Sequence, residues 1–168
     1  MPRRIEHRAR HTEPAAVVYS ALVDADYLRE RLRSLGGKGA ALESHEVSEQ
    51  GARYRVRHGL DAGALPSVVR TVISGDLVIE RTEAWQPRDG GYTGRSTVTI
   101  PKTPAEITAT LRLADTGSGS TLDTECQVEV AIPLFGGSVE ETIAQHVRKL
   151  LDSEYEFTKR WLAEHAAG

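Results

Sequence analysis

The hydrophobic and polar positions of this chain follow two different periods, and the change of period divides the sequence. Between residues 41 and 132, apolar and polar residues mostly alternate, which is typical of strands with one buried side and one solvent-facing side. From residue 138 to about residue 165, apolar residues recur at spacings of three and four, the period of an amphipathic helix. The sequence therefore predicts an antiparallel sheet followed by one long helix.

The first 40 residues predict a strand followed by two short helices. The strand covers residues 3–11, and the helices cover about 14–23 and 25–35. Thr12 occupies an N-cap position before the first of these helices, and Asp24 occupies the same position before the second. Gly36 and Gly37 then end the second helix.

Turn residues divide the alternating region into six further strands. These strands are predicted over residues 41–49, 52–60, 77–86, 92–100, 105–114 and 121–132. Residues 61–76 interrupt the alternation around Pro66, with a short helical turn over Val68–Ile73. A loop of this length in a compact domain is often a lid over a binding site, so we expect it to flank the opening of a cavity.

The long helix is predicted to begin at a capping box formed by Ser138-Val139-Glu140-Glu141 and to end near His165. One stripe of this helix carries Ile143, Val147, Leu150, Glu154, Phe157 and Trp161. A sheet of this size must cover its apolar face, and only this helix is long enough to do so. Because one helix cannot fill a strongly curved sheet, we expect a cavity between them.

The chain resembles the START-like superfamily, also called helix-grip or birch-pollen-allergen-like. The resemblance covers essentially the whole chain and rests on the order of the elements and the terminal helix. Its local signals are the opening pattern of Ile5, Val17, Val18, Tyr19, Leu22, Asp24 and Tyr27-Leu28, and the later Glu83-Ala84-Trp85. More narrowly, the chain resembles a family of unknown function that is common in actinobacteria.

This resemblance implies an α+β helix-grip domain that covers residues 1–168. A curved antiparallel sheet of six to seven strands would wrap around the long C-terminal helix, with two short helices after strand 1. It also implies an internal cavity for apolar ligands. It does not imply one reaction, because members of the superfamily include lipid carriers, hormone receptors, cyclases and partner-binding regulators.

Composition and charge narrow the set of partners. The net charge of −3 gives no electrostatic reason to expect nucleic acid. No apolar run approaches the roughly 18 residues of a membrane-spanning helix, and the charged N-terminus lacks the apolar core of a signal peptide, so we expect a cytoplasmic protein. The chain lacks phosphate-loop, dinucleotide and zinc-protease motifs, and no two of its six histidines have close metal-ligand spacing. We therefore expect neither cofactor nor metal.

Inward positions of the predicted sheet and helix supply the candidate ligand-binding residues. They are Tyr54, Val56, His58, Trp85, Ser96, Leu111, Cys126, His146, Leu150, Glu154 and Phe157. If Glu154 is unpaired, burial raises its pKa and suits it to acid or base chemistry. Alternatively, it pairs with an inward arginine such as Arg81 or tilts to solvent. His58 is either a polar ligand contact or a hydrogen-bonded core histidine.

A row of arginines occupies the opposite face of the sheet. Arg53, Arg55 and Arg57 alternate along one strand, so they share its outer side. Such a row would suit peripheral contact with an anionic membrane or an acidic partner. More often, however, the arginines of such a row pair with acids across the strands, here Glu43 and Glu49.

Three classes of function remain open from the sequence. The first is binding or transport of a hydrophobic small molecule or lipid in the cavity, and it is our leading hypothesis. The second is an enzyme of the cyclase, aromatase or hydratase type that uses Tyr54, His58 or Glu154 as acid and base. The third is a regulatory protein-interaction module, which a core filled by Trp85, Phe157 and Trp161 would favour.

Overall fold

The computed structural model describes residues 2–60, 67–70, 77–101, 103–132 and 136–165, with the side chains of residues 68 and 69 outside the description. The strands are β1 (Arg3–His11), β2 (Ala41–Ser48), β3 (Gly51–Leu60), β4 (Leu77–Arg88), β5 (Gly91–Thr99), β6 (Ala105–Thr116) and β7 (Gly119–Val130). The helices are α1 (Ala15–Leu22), α2 (Ala25–Leu35), α3 (Ser67–Arg70) and α4 (Gly136–His165). The predicted order of strands and long helices is confirmed. The predicted lid falls largely on residues 61–66 and 71–76, which lie outside the described residues.

The seven strands form one antiparallel sheet in the order β1-β7-β6-β5-β4-β3-β2. The strands β2 to β7 pair with their neighbours in sequence, and β1 pairs with β7 as one edge strand of the sheet. Because side chains alternate across a strand, one face of the sheet presents its apolar residues inward, toward α4. The α4 helix packs against β1 and β7, and α2 reaches both α4 and β2. The helix-grip fold expected from the sequence is therefore confirmed.

The N-cap of α2 was predicted correctly, but that of α1 was not. The Asp24 carboxylate accepts the backbone N–H of Tyr27 at 2.9 Å, which satisfies one of the first free amides of α2. At α1 the N-cap is Pro14, and the backbone N–H of Ala15 donates to Asp115 Oδ1 at 2.8 Å. Thr12 forms its hydrogen bond with Glu13 instead. A carboxylate from the end of β6 therefore takes the capping role that the sequence assigned to Thr12.

The capping box predicted for α4 is also wrong. The helix already begins at Gly136, so Ser138 lies inside its first turn. The buried Glu140 accepts the backbone N–H of Val130 at 2.9 Å, while Glu141 forms an ion pair with Arg3. Glu140 thus ties the start of α4 to the end of β7. Tertiary contacts have replaced the local cap because both carboxylates find partners in the sheet.

Aromatic side chains fill one end of the space between the sheet and α4. The ring of Tyr27 lies 5.6 Å from those of both Phe157 and Trp161, measured between centroids. Trp85 packs in the same hydrophobic cluster, over Gly94 on the next strand. A Cβ atom on Gly94 would lie 2.8 Å from the Trp85 ring, so the glycine is what lets the indole lie flat on the sheet. We refer to this region as the closed end.

Candidate functional site

An interior cavity of about 350 Å³ lies between the sheet and α4, away from the closed end. Of the eleven candidate ligand residues, six line it: His58, Ser96, Leu111, Cys126, His146 and Leu150. Most of the remaining wall is aliphatic, and it includes Leu60, Leu77, Ile79, Val98, Ile100, Ile107, Ile143 and Val147. A volume of this size is at the lower end of the range for small-molecule sites. The predicted cavity is therefore present, and the ligand-binding role of its residues stays a prediction.

The register of the sheet explains which side chains meet in the interior. Tyr54, Glu83, Ser96, Ala109 and Cys126 are consecutive Cα partners from β3 across to β7. Residues that are direct partners on neighbouring strands point to the same face, so these five side chains form one inward row. The row brings polar groups to the middle of the sheet, between the closed end and the aliphatic part of the cavity.

A buried cluster of ion pairs lies at the centre of the interior. The Arg81 guanidinium donates to Glu83 Oε2 at 2.5 Å, and it donates to both carboxylate oxygens of Glu154 at 2.7 and 3.2 Å. The Tyr54 hydroxyl donates to the other oxygen of Glu83 at 2.6 Å. From α2, Arg31 Nε lies 3.7 Å from Glu154 Oε2. We call Arg31, Arg81, Glu83 and Glu154 the buried charge cluster; it joins α2, β4 and α4.

The buried charge cluster fixes the ionisation of Glu154. Burial by itself would raise the pKa of this carboxyl, but the charges of Arg31 and Arg81 outweigh it and lower the pKa to about 2. The same two arginines, against the effect of burial, lower the pKa of Glu83. Of the two alternatives left open by the sequence, the structure shows the pairing of Glu154 with Arg81, so the condition for a raised pKa is not met. Glu154 is consequently unsuited to act as a proton donor near neutral pH.

His58, like Arg31, has a buried polar atom without a hydrogen-bond partner among the described residues. Burial, and next the charge of Arg81, lower the pKa of the imidazole to about 4, so the ring is neutral at pH 7. The ring atom that lacks a partner in this part of the chain is Nε2. The Cys126 thiol lies in the same cavity, and burial raises its pKa to about 11, which makes it a poor nucleophile.

The other five candidates lie beside the cavity or away from it. Tyr54 and Glu154 take part in the polar contacts just described, and Trp85 Nε1 donates to Glu83 Oε1 at 3.3 Å. Val56 is fully buried in the core, and Phe157 belongs to the closed end. These residues lie inward as the alternation predicted, but they contact other side chains instead of lining the cavity.

The sequence analysis missed Arg31 and the buried role of Glu83, although both carry a signal. Arg31 follows Tyr27 by four residues and Leu28 by three, which places it on the buried stripe of α2. Glu83 lies two residues from Trp85 and from Arg81 on one strand, so all three share the inward face. Two opposite charges on that face of β4 predict a buried pair once the face is known to be inward.

The described ranges contain neither a helix suited to cross a membrane nor a cluster of metal-ligand side chains. No helix in them is both long enough and apolar enough to cross a membrane. No group of three or more histidine, cysteine, aspartate or glutamate side chains in the same ranges is arranged to hold a metal ion.

On the outer face of the sheet, Arg55 of the predicted row and two arginines of β1 pair with acids on neighbouring strands. Arg55 pairs with Glu80, Arg8 with Asp123 at 2.6 Å, and Arg4 with Glu125 at 3.0 Å. The partners are therefore not Glu43 and Glu49, because the register brings other acids opposite these positions. The wide depression on this face, about 1160 Å³, is open and lined largely by polar and charged residues.

Comparison with known proteins places the chain in a family. A model described as "Protein of unknown function (DUF2505)" matches residues 6–162. The chain belongs to the DUF2505 family. Uncharacterized proteins of Mycobacterium tuberculosis H37Rv and Mycobacterium bovis are each 28% identical to it over 173 residues, covering 98% of this chain and 99% of the relative. The actinobacterial family suggested by the sequence is thus confirmed.

Solved structures with little sequence identity share the fold. A protein of unknown function from Staphylococcus aureus has a TM-score of 0.67 at 11% identity, covering 100% of this chain and 98% of its own. The structure of Ara h 8.0201 has a TM-score of 0.61 at 11% identity, with coverages of 98% and 100%. Norcoclaurine synthase from Thalictrum flavum has a TM-score of 0.59 at 14% identity, with coverages of 98% and 88%. The helix-grip fold is therefore confirmed, and at these identities the comparison shows the fold alone.

Proposed function

We propose that this DUF2505 protein binds a hydrophobic small molecule or lipid in the cavity between its sheet and α4. The observation that carries the proposal is an interior cavity of about 350 Å³ whose wall is mainly aliphatic. Water finds few hydrogen-bond partners in such a space, whereas an apolar ligand that enters it removes its own apolar surface and that of the wall from contact with water. The helix-grip fold, which often holds hydrophobic ligands, supports the same proposal.

The contacts of the polar residues favour binding over catalysis. An acid–base site needs groups that are free to exchange protons with one ligand atom. Here Glu154 and Glu83 are held as carboxylates by arginines, and the Tyr54 hydroxyl is engaged by Glu83. The enzyme hypothesis based on Tyr54 and Glu154 is therefore disfavoured, although norcoclaurine synthase shares the fold.

The division of the interior also bears on the regulatory hypothesis. Trp85, Phe157 and Trp161 pack in one hydrophobic cluster at the closed end, with Phe157 and Trp161 partly buried there. They leave the space lined by Leu150 and His146 unfilled. A core packed solid by these aromatic residues was the feature expected of an interaction module, so this arrangement supports ligand binding instead.

A cavity-filling variant tests the proposal. Ala109 lines the cavity on β6, and Thr110, the next residue, is exposed on the outer face. We expect Ala109→Phe to reduce binding of a fluorescent hydrophobe at least about tenfold, because the ring takes space that the ligand needs, whereas Thr110→Phe should leave binding within about twofold. Both proteins are titrated with the probe, and their thermal unfolding is recorded.

Native mass spectrometry of gently purified protein complements the titration. It should detect a co-purified apolar molecule in the wild type and less of it in Ala109→Phe. If the wild type carries no such molecule and binds neither the probe nor fatty acids, the proposal is wrong. Equal binding by folded Ala109→Phe and Thr110→Phe would place any probe site outside this cavity.

A further inference from the structure

The cavity has one polar corner, built from three neighbouring strands. Arg81 on β4 is the direct partner of Val56, so His58, two residues further along β3, lies diagonally beside it. Glu83 is the direct partner of Ser96, which places Ser96 on β5 diagonally beside Arg81 on the other side. Such diagonal neighbours are about 7–8 Å apart, within reach of a long side chain. His58, Arg81 and Ser96 all line the cavity, and we call them the polar corner.

The polar corner has hydrogen-bonding capacity left over. Arg81 uses three of its N–H groups on Glu83 and Glu154, and a guanidinium has five. Ser96 is buried and lines the cavity with its hydroxyl-bearing side chain. The Nε2 atom of His58 is unpaired within the described part of the chain. A polar group left without a partner in an apolar interior costs free energy, so a ligand oxygen that reaches this corner is favoured.

The charge of the corner is already balanced. Arg31 and Arg81 carry two positive charges and Glu83 and Glu154 two negative ones, so the buried charge cluster has no net charge. A ligand carboxylate placed beside it would add an unmatched negative charge in a region with little water, which is costly. An uncharged oxygen can accept or donate the same hydrogen bonds without that cost.

We infer that the cavity binds amphiphiles whose polar end is an uncharged hydroxyl or carbonyl group, held at the polar corner by Arg81 and His58, with Ser96 on the far side of the guanidinium. This inference rests on the proposed function and adds the chemistry of the ligand. The aliphatic wall takes the apolar chain, and a volume of about 350 Å³ holds roughly a dozen non-hydrogen atoms if each needs about the 30 Å³ of a water molecule. A medium-chain alcohol such as 1-decanol fits this description.

A fatty acid would be expected to behave differently. The exposed Lys149 also lines the cavity, on α4, and it offers a cation in contact with solvent. A decanoate ion bound with its carboxylate at Lys149 would leave the polar corner unoccupied. An uncharged amphiphile and a fatty acid would therefore bind in different orientations. Only the binding of the uncharged head group would depend on Ser96 and His58.

The test compares 1-decanol and decanoate at pH 8 by displacement of a fluorescent hydrophobe from the full chain. We expect 1-decanol to bind at least about tenfold more tightly than decanoate, since a desolvated charge is disfavoured. His58→Leu should weaken 1-decanol binding about two- to tenfold, the range for one lost hydrogen bond, and Ser96→Ala, which removes a polar group on the far side of Arg81, should act in the same direction to a smaller extent. The control is Thr97→Ala, the next residue on β5, which is exposed and should change binding less than about twofold.

One further readout, the nuclear magnetic resonance signals of the His58 ring, helps to separate the outcomes. In wild-type protein, the His58 ring nitrogen resonances should shift with 1-decanol and not with decanoate, which tests the corner even if His58→Leu fails to fold. If decanoate binds as tightly as 1-decanol, or if folded Ser96→Ala and His58→Leu bind 1-decanol like wild type, this inference is overturned while the proposed function stands. If neither compound nor the probe binds, the proposed function fails with it.

Discussion

Glu154 is the residue on which the centre of the interior most depends. It receives two hydrogen bonds from Arg81 and faces Arg31 at 3.7 Å, while its own side chain is 9% exposed. A buried ion pair adds little net stability compared with apolar residues of the same shape, but removing one partner leaves the other charge without compensation. Glu154 therefore matters chiefly because two arginines are buried with it.

Replacing this carboxylate by an amide should be costly. We expect Glu154→Gln to lower the free energy of unfolding by about 3 to 5 kcal/mol, because Arg31 and Arg81 would then share Glu83 as their one acidic partner in the cluster. The control is Glu156→Gln, two residues away on the exposed side of α4, which should cost less than about 1 kcal/mol. Urea titrations monitored by circular dichroism measure both. Equal losses in the two variants would contradict a special role for Glu154.

The same substitution should change the response to acid. The pKa of Glu154 is about 2 in the folded protein against an ordinary value of 4.5, so the unfolded chain takes up this proton first as the pH falls. The stabilisation is therefore complete above about pH 5 and is lost as the pH falls from about 4.5 toward 2. The free energy of unfolding should decline less steeply in this window for Glu154→Gln than for wild type. An identical slope would show that Glu154 titrates normally in the folded state.

At the scale of elements, the starts of α1 and α4 show tertiary contacts replacing local caps. The sequence placed the N-cap of α1 at Thr12, whereas Asp115, a hundred residues later, accepts the Ala15 amide. A Thr, Ser or Asp in front of a helix predicts a cap only if no other acceptor reaches the same amide. The end of β6 supplies such an acceptor here because α1 packs against that strand.

This difference can be tested directly by two alanine substitutions. We expect Asp115→Ala to lower the free energy of unfolding by about 0.5 to 2 kcal/mol, the range for a lost N-cap. Thr12→Ala should stay within about 0.5 kcal/mol of wild type, because the Thr12 hydroxyl contacts Glu13 and not a helix amide. The measurement is thermal or urea unfolding of both variants. If Thr12→Ala were more destabilising than Asp115→Ala, Thr12 and not Asp115 would be the residue that caps α1.

At the scale of the whole molecule, shortening a side chain should destabilise the two ends of the interior to different extents. Leu113 is fully buried in the closed end, where side chains surround it. Leu150 is half-buried and faces the cavity, so part of its surface already lacks packing partners. A residue that lines an empty space contributes fewer dispersion contacts than one packed on all sides.

The same leucine-to-alanine substitution should therefore have a different effect on stability at each end of the interior. We expect Leu113→Ala to lower the free energy of unfolding by about 2 to 5 kcal/mol and Leu150→Ala by clearly less, about 1 to 2 kcal/mol. Leu150→Ala should also enlarge the cavity and admit a longer 1-alkanol than the wild type does. Chemical denaturation and the probe-displacement titration provide the two measurements. Equal destabilisation would indicate that the cavity is collapsed in solution.

Much of the fold of this protein could be predicted from its sequence alone. The buried side of α4 carries Ala144, Thr158 and Leu162 beside Glu154, so the stripe predicted from Ile143 to Trp161 lies at its edge. The alternation of residues 41–132 and the helical period after residue 138 nevertheless determined the strands, the long helix and the inward face of the sheet, and strand limits agree with the structure to within two residues. These features are local, because a strand or helix period is written in consecutive residues. The placement of His58, Ser96 and Cys126 on the cavity wall follows from the same alternation.

Only the tertiary structure decided how the polar residues are used. Whether Glu154 is free or paired depends on Arg31 and Arg81, which come from two other elements, and this pairing lowers a pKa that burial alone would raise. The cap of α1 and the role of Glu140 depend in the same way on strands far along the chain. Periodicity indicates which face a side chain occupies, whereas its partner depends on which strands and helices the fold brings together.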